Sequence, residues 1–220
     1  MKIELLVFDF DGVLVDSEVI ANKVLAGVLT EMGYPVTAAE SVLRFTGMNG
    51  RRIRAEVEGE MGRPLPKDFE ATMSGRARAL FETDLAPISG AAALLQTLDG
   101  ARCIASNSGH AWIQRALHTT GLAPYFDSAA LFSAADVATG KPAPDLFLHA
   151  AARMGADTAD CVVIEDSPLG VAGGVAAGMT VVGFTGASHI GDGHADRLRD
   201  AGAVAIFDDL SRLPELLGKL

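Results

Sequence analysis

The stretch Leu5-Leu6-Val7-Phe8-Asp9-Phe10-Asp11-Gly12 decides how the rest of this 220-residue chain is interpreted. Its first four residues are apolar, which is typical of a buried strand, and two carboxylates follow at once. Residues i and i+2 of an extended backbone project to the same side, so Asp9 and Asp11 should point into one small space. Like charges that close repel, and one carboxyl keeps its proton unless a cation is present. Taken alone, the pattern fits either an acidic turn after a strand or a nucleophile and an acid beside a metal ion.

The composition limits the class of protein. The chain is 49% hydrophobic and 21% charged, with a formal net charge of −10, which is ordinary for a soluble globular protein. The negative charge argues against nucleic acids and acidic membrane surfaces as partners, although local cations still permit a small anionic substrate. The N-terminus does not resemble a signal peptide, and no apolar run reaches the ~18 residues of a membrane span. We therefore expect a cytoplasmic protein, a monomer or weak dimer, with Cys103 and Cys161 reduced and buried.

Short apolar runs alternate with helical patterns, and this alternation predicts the fold class. The runs that predict strands are Ile3–Phe8, Ala101–Ala105, Ala129–Phe132, Cys161–Ile164, Thr180–Phe184 and Ala203–Phe207. The helical patterns between them are His110–Thr120, Asp145–Met154, Leu169–Ala177 and Ala195–Ala201. Continuously apolar strands that alternate with helices indicate an α/β protein, with a parallel sheet covered on both faces. The prediction is a Rossmann-like three-layer core.

One interval, from Ser17 to Leu85, contains helical patterns and no convincing strand. Apolar residues between Val19 and Met32 keep a spacing of about 3.6 residues. Thr37 and Glu40 form a capping-box pattern at the start of the next helix. This organisation predicts a Rossmann-like core of residues 1–15 and 86–220, with an inserted helical cap domain of residues 16–85.

Polar groups follow three of the predicted strands. Asp9 and Asp11 follow the first, Ser106-Asn107-Ser108 follows the second, and Glu165-Asp166-Ser167 follows the fourth. Between the last two groups, Lys141 lies in a proline-rich loop before a helix. Ligands of open parallel sheets bind outside the carboxyl ends of the strands. Each group alone is an ordinary turn, cap or surface loop, but together on one edge they predict a single site.

With these residues in this order, the chain resembles the haloacid dehalogenase superfamily, in the branch with a small helical cap inserted after the first motif. The resemblance spans essentially the whole chain. It is carried by four motifs: Asp9-Phe10-Asp11-Gly12-Val13, Ser106-Asn107, Lys141-Pro142 and Glu165-Asp166-Ser167. It implies a Mg²⁺-dependent phosphatase that hydrolyses a small phosphorylated metabolite, a sugar or polyol phosphate, through an aspartyl-phosphate intermediate.

The resemblance also implies roles for the four acidic residues. Asp9 would be the nucleophile, and Asp11 would protonate the leaving alcohol and later deprotonate water. The carboxylates of Asp9 and Asp166 and the backbone carbonyl of Asp11 would bind Mg²⁺, with Glu165 holding metal-bound water. Four carboxylates and a phosphate ester cannot assemble without cations, and Mg²⁺ fits oxygen ligands and phosphate chemistry.

The remaining motif residues would bind the phosphoryl group. Lys141 would contact both Asp9 and a phosphoryl oxygen, and therefore counts as catalytic as well as phosphate-binding. Ser106 and Asn107 would bind the other phosphoryl oxygens, in part through a backbone N–H.

Two alternatives to a phosphatase remain open from the sequence: a sugar-phosphate mutase of the β-phosphoglucomutase type, and a catalytically idle binding protein of the same fold. Asp11 argues against a dehalogenase, because that chemistry needs no acid for the leaving group. Mutases of this kind carry a histidine where Ala21 aligns and a cap arginine where Gly50 falls. Both departures weaken the mutase interpretation, although a shift of one residue would bring Arg51 into place.

Three residues of the cap are candidates for substrate specificity: Glu18, Asn49 and Arg51. Glu18 and Asn49 would bind sugar or polyol hydroxyls, and Arg51 a carboxylate or second phosphate. The competing interpretation of the arginine cluster around Arg51 is a solvated helix face.

Two histidines, His189 and His194, occupy a glycine-rich loop with Asp192. A metal cluster there would need a third histidine or a cysteine nearby, so these histidines are expected to be solvated. Trp112 is expected to serve in packing.

Overall fold

The computed structural model describes residues 2–46, 48 and 50–220. The chain divides into two compact units. The first comprises the N-terminal segment up to Asp16 together with Ala86–Leu220, and the second is Ser17–Leu85.

The first unit is built on a six-stranded parallel sheet with the order β3-β2-β1-β4-β5-β6. The strands are β1 Leu5–Phe8, β2 Ala101–Ser106, β3 Leu131–Ser133, β4 Cys161–Glu165, β5 Thr180–Phe184 and β6 Ala205–Phe207. The helices numbered along the chain in this unit are α5 Ala91–Thr97, α6 His110–Thr119, α7 Asp145–Met154, α8 Pro168–Ala176, α9 His194–Asp200 and α10 Leu213–Leu217.

The central strand β1 is buried along its whole length, because neighbouring strands and both layers cover it. Leu5 is in register with Ala101 on one side and Cys161 on the other. On one face of the sheet, Val7 and Cys103 pack into a core with residues of α7, and both side chains are fully buried. Apolar runs without polar alternation satisfy these two-sided positions, which is why the strands were predictable.

The predicted α/β fold class is confirmed, and all six predicted strands are present. The segment that begins at Ala129 differs in detail: a 3-10 helix, Ser128–Ala130, precedes the strand Leu131–Ser133. Helices α5 and α10 were not predicted, since each is only one or two turns long.

The second unit is helical and comprises α1 Glu18–Glu31, α2 Ala38–Phe45, α3 Gly50–Met61 and α4 Phe69–Asp84. Its own core contains Leu25, Phe45 and Phe69. The predicted capping box forms: the Thr37 hydroxyl accepts a bond from the Glu40 N–H, and the Glu40 carboxylate accepts one from the Thr37 N–H. None of the helices in the described part of the chain is long and apolar enough to cross a bilayer.

Candidate active site

The sheet brings the polar residues after β1, β2 and β4 to one edge. Phe8, the last residue of β1, is in register with Ile104 of β2 and Ile164 of β4, so the three strands end at the same level. The Asp9 N–H donates to the Ile164 carbonyl at 2.9 Å, which extends the ladder by one residue. The carboxylates that follow β1 and β4 therefore meet, as the sequence predicted.

Three buried carboxylates form the centre of the site. Asp9, Glu165 and Asp166 each offer an oxygen within 4.8 Å of the others. The Lys141 Nζ lies 2.5 Å from Asp9 Oδ1 and 2.6 Å from Glu165 Oε1. The side chains of Lys141, Glu165 and Asp9 are only 4%, 0% and 11% exposed. One ammonium group thus bridges two carboxylates that are almost completely removed from water.

The charges of this cluster do not balance without a further cation. Burial raises the pKa of Asp9 well above its usual value; Lys141 opposes this shift, while Glu165 and Asp166 add to it. Burial, followed by Glu165, also raises the pKa of Asp166. For Lys141, burial lowers the pKa, but the attraction of Asp9 and Glu165 outweighs it, and the pKa rises. Further positive charge would favour the ionised form of both aspartates, and their hard oxygen donors fit Mg²⁺.

Residues at the start of helix α8 hold the Glu165 carboxylate in place. Its Oε2 accepts bonds from the Ser167 N–H and hydroxyl, both at 2.9 Å. Ser167 also caps helix α8, since its Oγ accepts the Gly170 N–H at 3.0 Å. A Cβ atom at Gly170 would overlap the Glu165 carboxylate, so the start of α8 can pack against that carboxylate only because position 170 has no side chain.

The side chain of Asn107 fixes the backbone that carries Lys141. Its Oδ1 accepts the Lys141 N–H at 2.8 Å, and its Nδ2 donates to the Lys141 carbonyl at 3.1 Å. The peptide bond between Lys141 and Pro142 is cis. Lys141 Nζ also lies 5.0 Å from the centre of the Phe147 ring. The side-chain amide of Asn107 thereby positions the backbone of the lysine.

A family model described as haloacid dehalogenase-like hydrolase matches residues 3–178. The chain belongs to that family. The predicted family is confirmed, and so is the predicted enzyme class, a phosphoric monoester hydrolase of the haloacid dehalogenase type.

Individual members of the haloacid dehalogenase-like family are similar along almost the whole chain. The 6-phosphogluconate phosphatase of Escherichia coli K12 is 33% identical over 216 residues, which are 98% of this chain and 95% of that protein. A haloacid dehalogenase-like protein of unknown function from Agrobacterium tumefaciens is 42% identical, with a TM-score of 0.91 over 99% of this chain and 98% of the other. A family hydrolase from Deinococcus radiodurans, solved with bound phosphate and sodium, is 32% identical, with a TM-score of 0.84 over 99% and 96%.

Two residues that the sequence did not identify contact Asp11, the second acid of this family's first motif. Its Oδ1 accepts a bond from the Trp112 indole at 2.9 Å, and its Oδ2 accepts one from the Ser108 hydroxyl at 2.6 Å. Trp112 therefore does more than pack. Its position in the first turn of α6, directly after the Ser106 loop, was the one available signal, but only the fold brings it to Asp11.

Ser106 is buried at the end of β2, where its Oγ accepts the Ser108 N–H at 3.0 Å and its own O–H remains able to donate. The expectation of a solvated histidine loop is wrong at His189, which is buried, with Nε2 3.3 Å from Asp166 Oδ2.

The predicted specificity residues belong to the second unit. Glu18 begins α1, and its Oε2 accepts a bond from Asn22 at 3.3 Å. Arg51 is exposed in the first turn of α3, and Asn49 lies outside the described residues. The neighbouring Arg54 forms ion pairs with Glu58 and Glu70, so this arginine of the cluster has a structural role.

Proposed function

We propose that the protein is a Mg²⁺-dependent phosphatase that hydrolyses a small phosphomonoester, a sugar or polyol phosphate, through an aspartyl-phosphate intermediate. The observation that carries this proposal is the Lys141 ammonium group between Asp9 and Glu165, in a buried acidic cluster at the ends of the strands. The lysine orients Asp9 and provides positive charge where a phosphoryl group would enter. The similarity to a 6-phosphogluconate phosphatase supports a phosphorylated sugar or sugar-like substrate.

In the first step, a carboxylate oxygen of Asp9 attacks phosphorus while the bond from phosphorus to the ester oxygen breaks. Asp11 gives its proton to the leaving alcohol oxygen. In the second step, a water oxygen attacks the phosphorus of the aspartyl-phosphate and Asp11 takes a proton from that water. Inorganic phosphate leaves, and both aspartates return to their starting states. The bonds from Trp112 and Ser108 hold the Asp11 carboxyl in one orientation for both transfers.

The carboxylates of Asp9 and Asp166 and the backbone carbonyl of Asp11 would hold Mg²⁺. When bound, the ion supplies charge neutralisation for the carboxylates and the phosphoryl oxygens. Glu165 is bonded to Lys141 and Ser167, and so acts from outside the ligand set.

Phosphoryl oxygens would be bound by three donors of the core: the Ser106 hydroxyl, the Lys141 ammonium and the backbone N–H of Asn107. Asn107 would therefore contribute to phosphate binding in two ways. Its backbone N–H would bind a phosphoryl oxygen directly, and its side-chain amide holds the backbone of Lys141 in place.

The proposal includes a division of labour between two domains. The Rossmann-like unit would carry the chemistry, and the helical unit would act as a cap that selects the leaving alcohol. Glu18 and Arg51 are the candidates for that selection, together with Asn49. A cytoplasmic location is part of the proposal and agrees with the unpaired, buried thiols of Cys103 and Cys161.

The test is phosphate release from a panel of sugar, sugar-acid and polyol phosphates, measured with Mg²⁺ and with EDTA. We expect release that requires Mg²⁺, a loss of more than about 100-fold in Asp9→Asn, and normal activity in Asp99→Asn, which changes an exposed aspartate of the same unit. A mutase would interconvert sugar phosphates with a bisphosphate activator and little net release. An idle binding protein would release no phosphate under either condition. Asp9→Asn with more than a hundredth of wild-type activity would refute the nucleophile assignment.

A further inference from the structure

We propose that His189 is a positioning residue that orients the carboxylate of Asp166 and thereby sets the affinity of the site for Mg²⁺. This inference rests on the proposed function, in which Asp166 is a metal ligand.

The sheet explains how a distant loop reaches this aspartate. Strand β5 lies next to β4, so the loop after Phe184 runs beside the loop after Glu165. His189 Nε2 is 3.3 Å from Asp166 Oδ2, and the two side chains are only 4% and 5% exposed. Water has little access to this oxygen, so the imidazole ring is the polar group that faces it.

Gly12 lies against both the same carboxylate and the imidazole of His189. Its φ of +90° lies in the left-handed region, and a Cβ atom there would overlap Asp166 Oδ2 and lie 3.0 Å from His189 Cε1. The carboxylate is therefore packed against bare backbone as well as against an imidazole ring. Such enclosure restricts the rotation of the carboxylate, which is what a metal ligand with fixed geometry requires.

The second histidine of the loop holds the backbone of the same residue. His194 Nε2 is 2.5 Å from the Asp166 carbonyl oxygen, and Arg197 Nη2 is 2.9 Å from His194 Nδ1. Because a guanidinium only donates, His194 Nδ1 is the acceptor and Nε2 carries the proton to the carbonyl. The loop is also tied to the first motif region, since the Ser188 hydroxyl donates to Asp16. One loop thus fixes both the main chain and the side chain of Asp166.

Groups outside the ligand set orient metal ligands, and their loss typically weakens metal binding by about 10- to 100-fold. His189 has the position of such a group: it contacts a carboxylate of the acidic cluster, while the described cluster itself consists of Asp9, Glu165 and Asp166. Its role differs from that of Lys141, which balances charge. His189 holds the geometry of the one carboxylate that Lys141 does not contact within hydrogen-bond distance.

The experiment compares His189→Asn with His189→Gln. A glutamine amide nitrogen reaches the position of imidazole Nε2, whereas an asparagine amide nitrogen stops near that of Nδ1. Thermal unfolding is followed by Trp112 fluorescence as Mg²⁺ is added without substrate, because a ligand of the folded state raises its stability with concentration. We expect the dissociation constant for Mg²⁺ to rise about 10- to 100-fold in His189→Asn and by less than about 3-fold in His189→Gln.

The control is Asp192→Asn, an exposed residue of the same loop, which should bind Mg²⁺ as the wild type does. Wild-type affinity in His189→Asn, or equal losses in the two variants, would overturn the proposal. Phosphate release, measured in parallel, distinguishes a failure of the inference about His189 from a failure of the proposed function. Wild-type protein that binds Mg²⁺ but releases no phosphate refutes the proposed function alone. Wild-type protein that shows no stabilisation by Mg²⁺ refutes both.

Discussion

Replacing Lys141 by methionine should destabilise the metal-free protein strongly. Methionine has nearly the volume of lysine but no charge, so the change leaves little empty space, although it removes the cation that lies 5.0 Å from the centre of the Phe147 ring. What disappears is the ammonium group that bonds to Asp9 and Glu165 at 2.5 and 2.6 Å. Removing one partner from a buried ion pair leaves an uncompensated charge, which typically costs about 3–5 kcal/mol.

The same magnitude follows from protonation. The buried carboxylate that loses its cation can instead take up a proton, and holding a proton on a group with an unfolded pKa near 4 costs about 1.4 kcal/mol for each pH unit above that value. The deficit of Lys141→Met should therefore be about 5 kcal/mol at pH 7.5 and about 2 kcal/mol at pH 5.5. The direction of this pH dependence follows from the raised pKa. Because the carboxyl has a higher pKa in the folded state than in the unfolded state, the free energy of unfolding falls as the pH rises between those two values.

The assay is urea unfolding in EDTA, followed by the fluorescence of Trp112, the only tryptophan of the chain, which lies in the same unit as the lysine. The matched control is Lys219→Met. Its ion pair with Glu215 is just as short, at 2.5 Å, but the two side chains are 67% and 73% exposed. Water and salt screen such a pair, so the control should leave the urea midpoint almost unchanged.

Two further measurements test the reasoning from charge. The double variant Lys141→Met/Glu165→Gln should recover part of the stability, because one of the unbalanced carboxylates is gone. Adding Mg²⁺ should reduce the difference in the free energy of unfolding between the wild type and Lys141→Met, because the ion supplies positive charge that the variant has lost. If Lys141→Met lowers the free energy of unfolding by less than about 1 kcal/mol at pH 7.5, or by the same amount at pH 5.5 and 7.5, the argument is refuted. Neither result agrees with a buried carboxylate left without its cation.

Other expectations concern the neighbours of this ion pair. Trp112→Phe removes the indole donor to Asp11 and should lower kcat about 10-fold, as measured by steady-state phosphate release, with a small effect on the unfolding temperature; an unchanged kcat would contradict the role of that bond. Gly170→Ala places a methyl group against the carboxylate that ends β4 and should lower the urea midpoint, whereas Gly75→Ala, on the exposed face of α4 with open space around it, should leave the midpoint unchanged or raise it. Burial raises the pKa of Asp9 and Asp166, so protons should compete with Mg²⁺ for these carboxylates. The apparent Mg²⁺ affinity should therefore increase as the pH rises from about 4, the usual carboxyl pKa, toward the raised pKa values. Equal affinities in titrations at pH 5.5 and 7.5 would exclude this competition.

The architecture was predictable because the central strands of the sheet, such as β1 and β4, are buried on both faces. The run Cys161–Ile164 has no polar position, and Thr180 is the only polar residue of Thr180–Phe184. Helices α5 and α10 escaped prediction for the opposite reason. At five to seven residues they are too short for a helical period to repeat, so packing against the rest of the unit decides their conformation.

The candidate site was predictable at the strand ends and unpredictable at the residues that support them. Register places Asp9 and Glu165 together as soon as the strand order is known. The contacts from Trp112 to Asp11 and from His189 to Asp166 join residues more than twenty positions apart, and no spacing rule connects them. A loop histidine and a helix tryptophan are solvated or packed in most proteins, so only the fold distinguishes these two.

Under the proposed function, the cluster combines a fixed cation, Lys141, with a replaceable one, Mg²⁺. Lys141 lowers the cost of burying Asp9 and Glu165 enough for the core to assemble, but it leaves the pKa of Asp9 and of Asp166 raised. In the proposed mechanism these carboxyl groups act as anions, so a bound divalent ion would favour their ionised form, including that of the proposed nucleophile Asp9. Metal binding would thus activate the attacking group as well as bind phosphate, and the enzyme would remain inactive, yet folded, until the ion arrives.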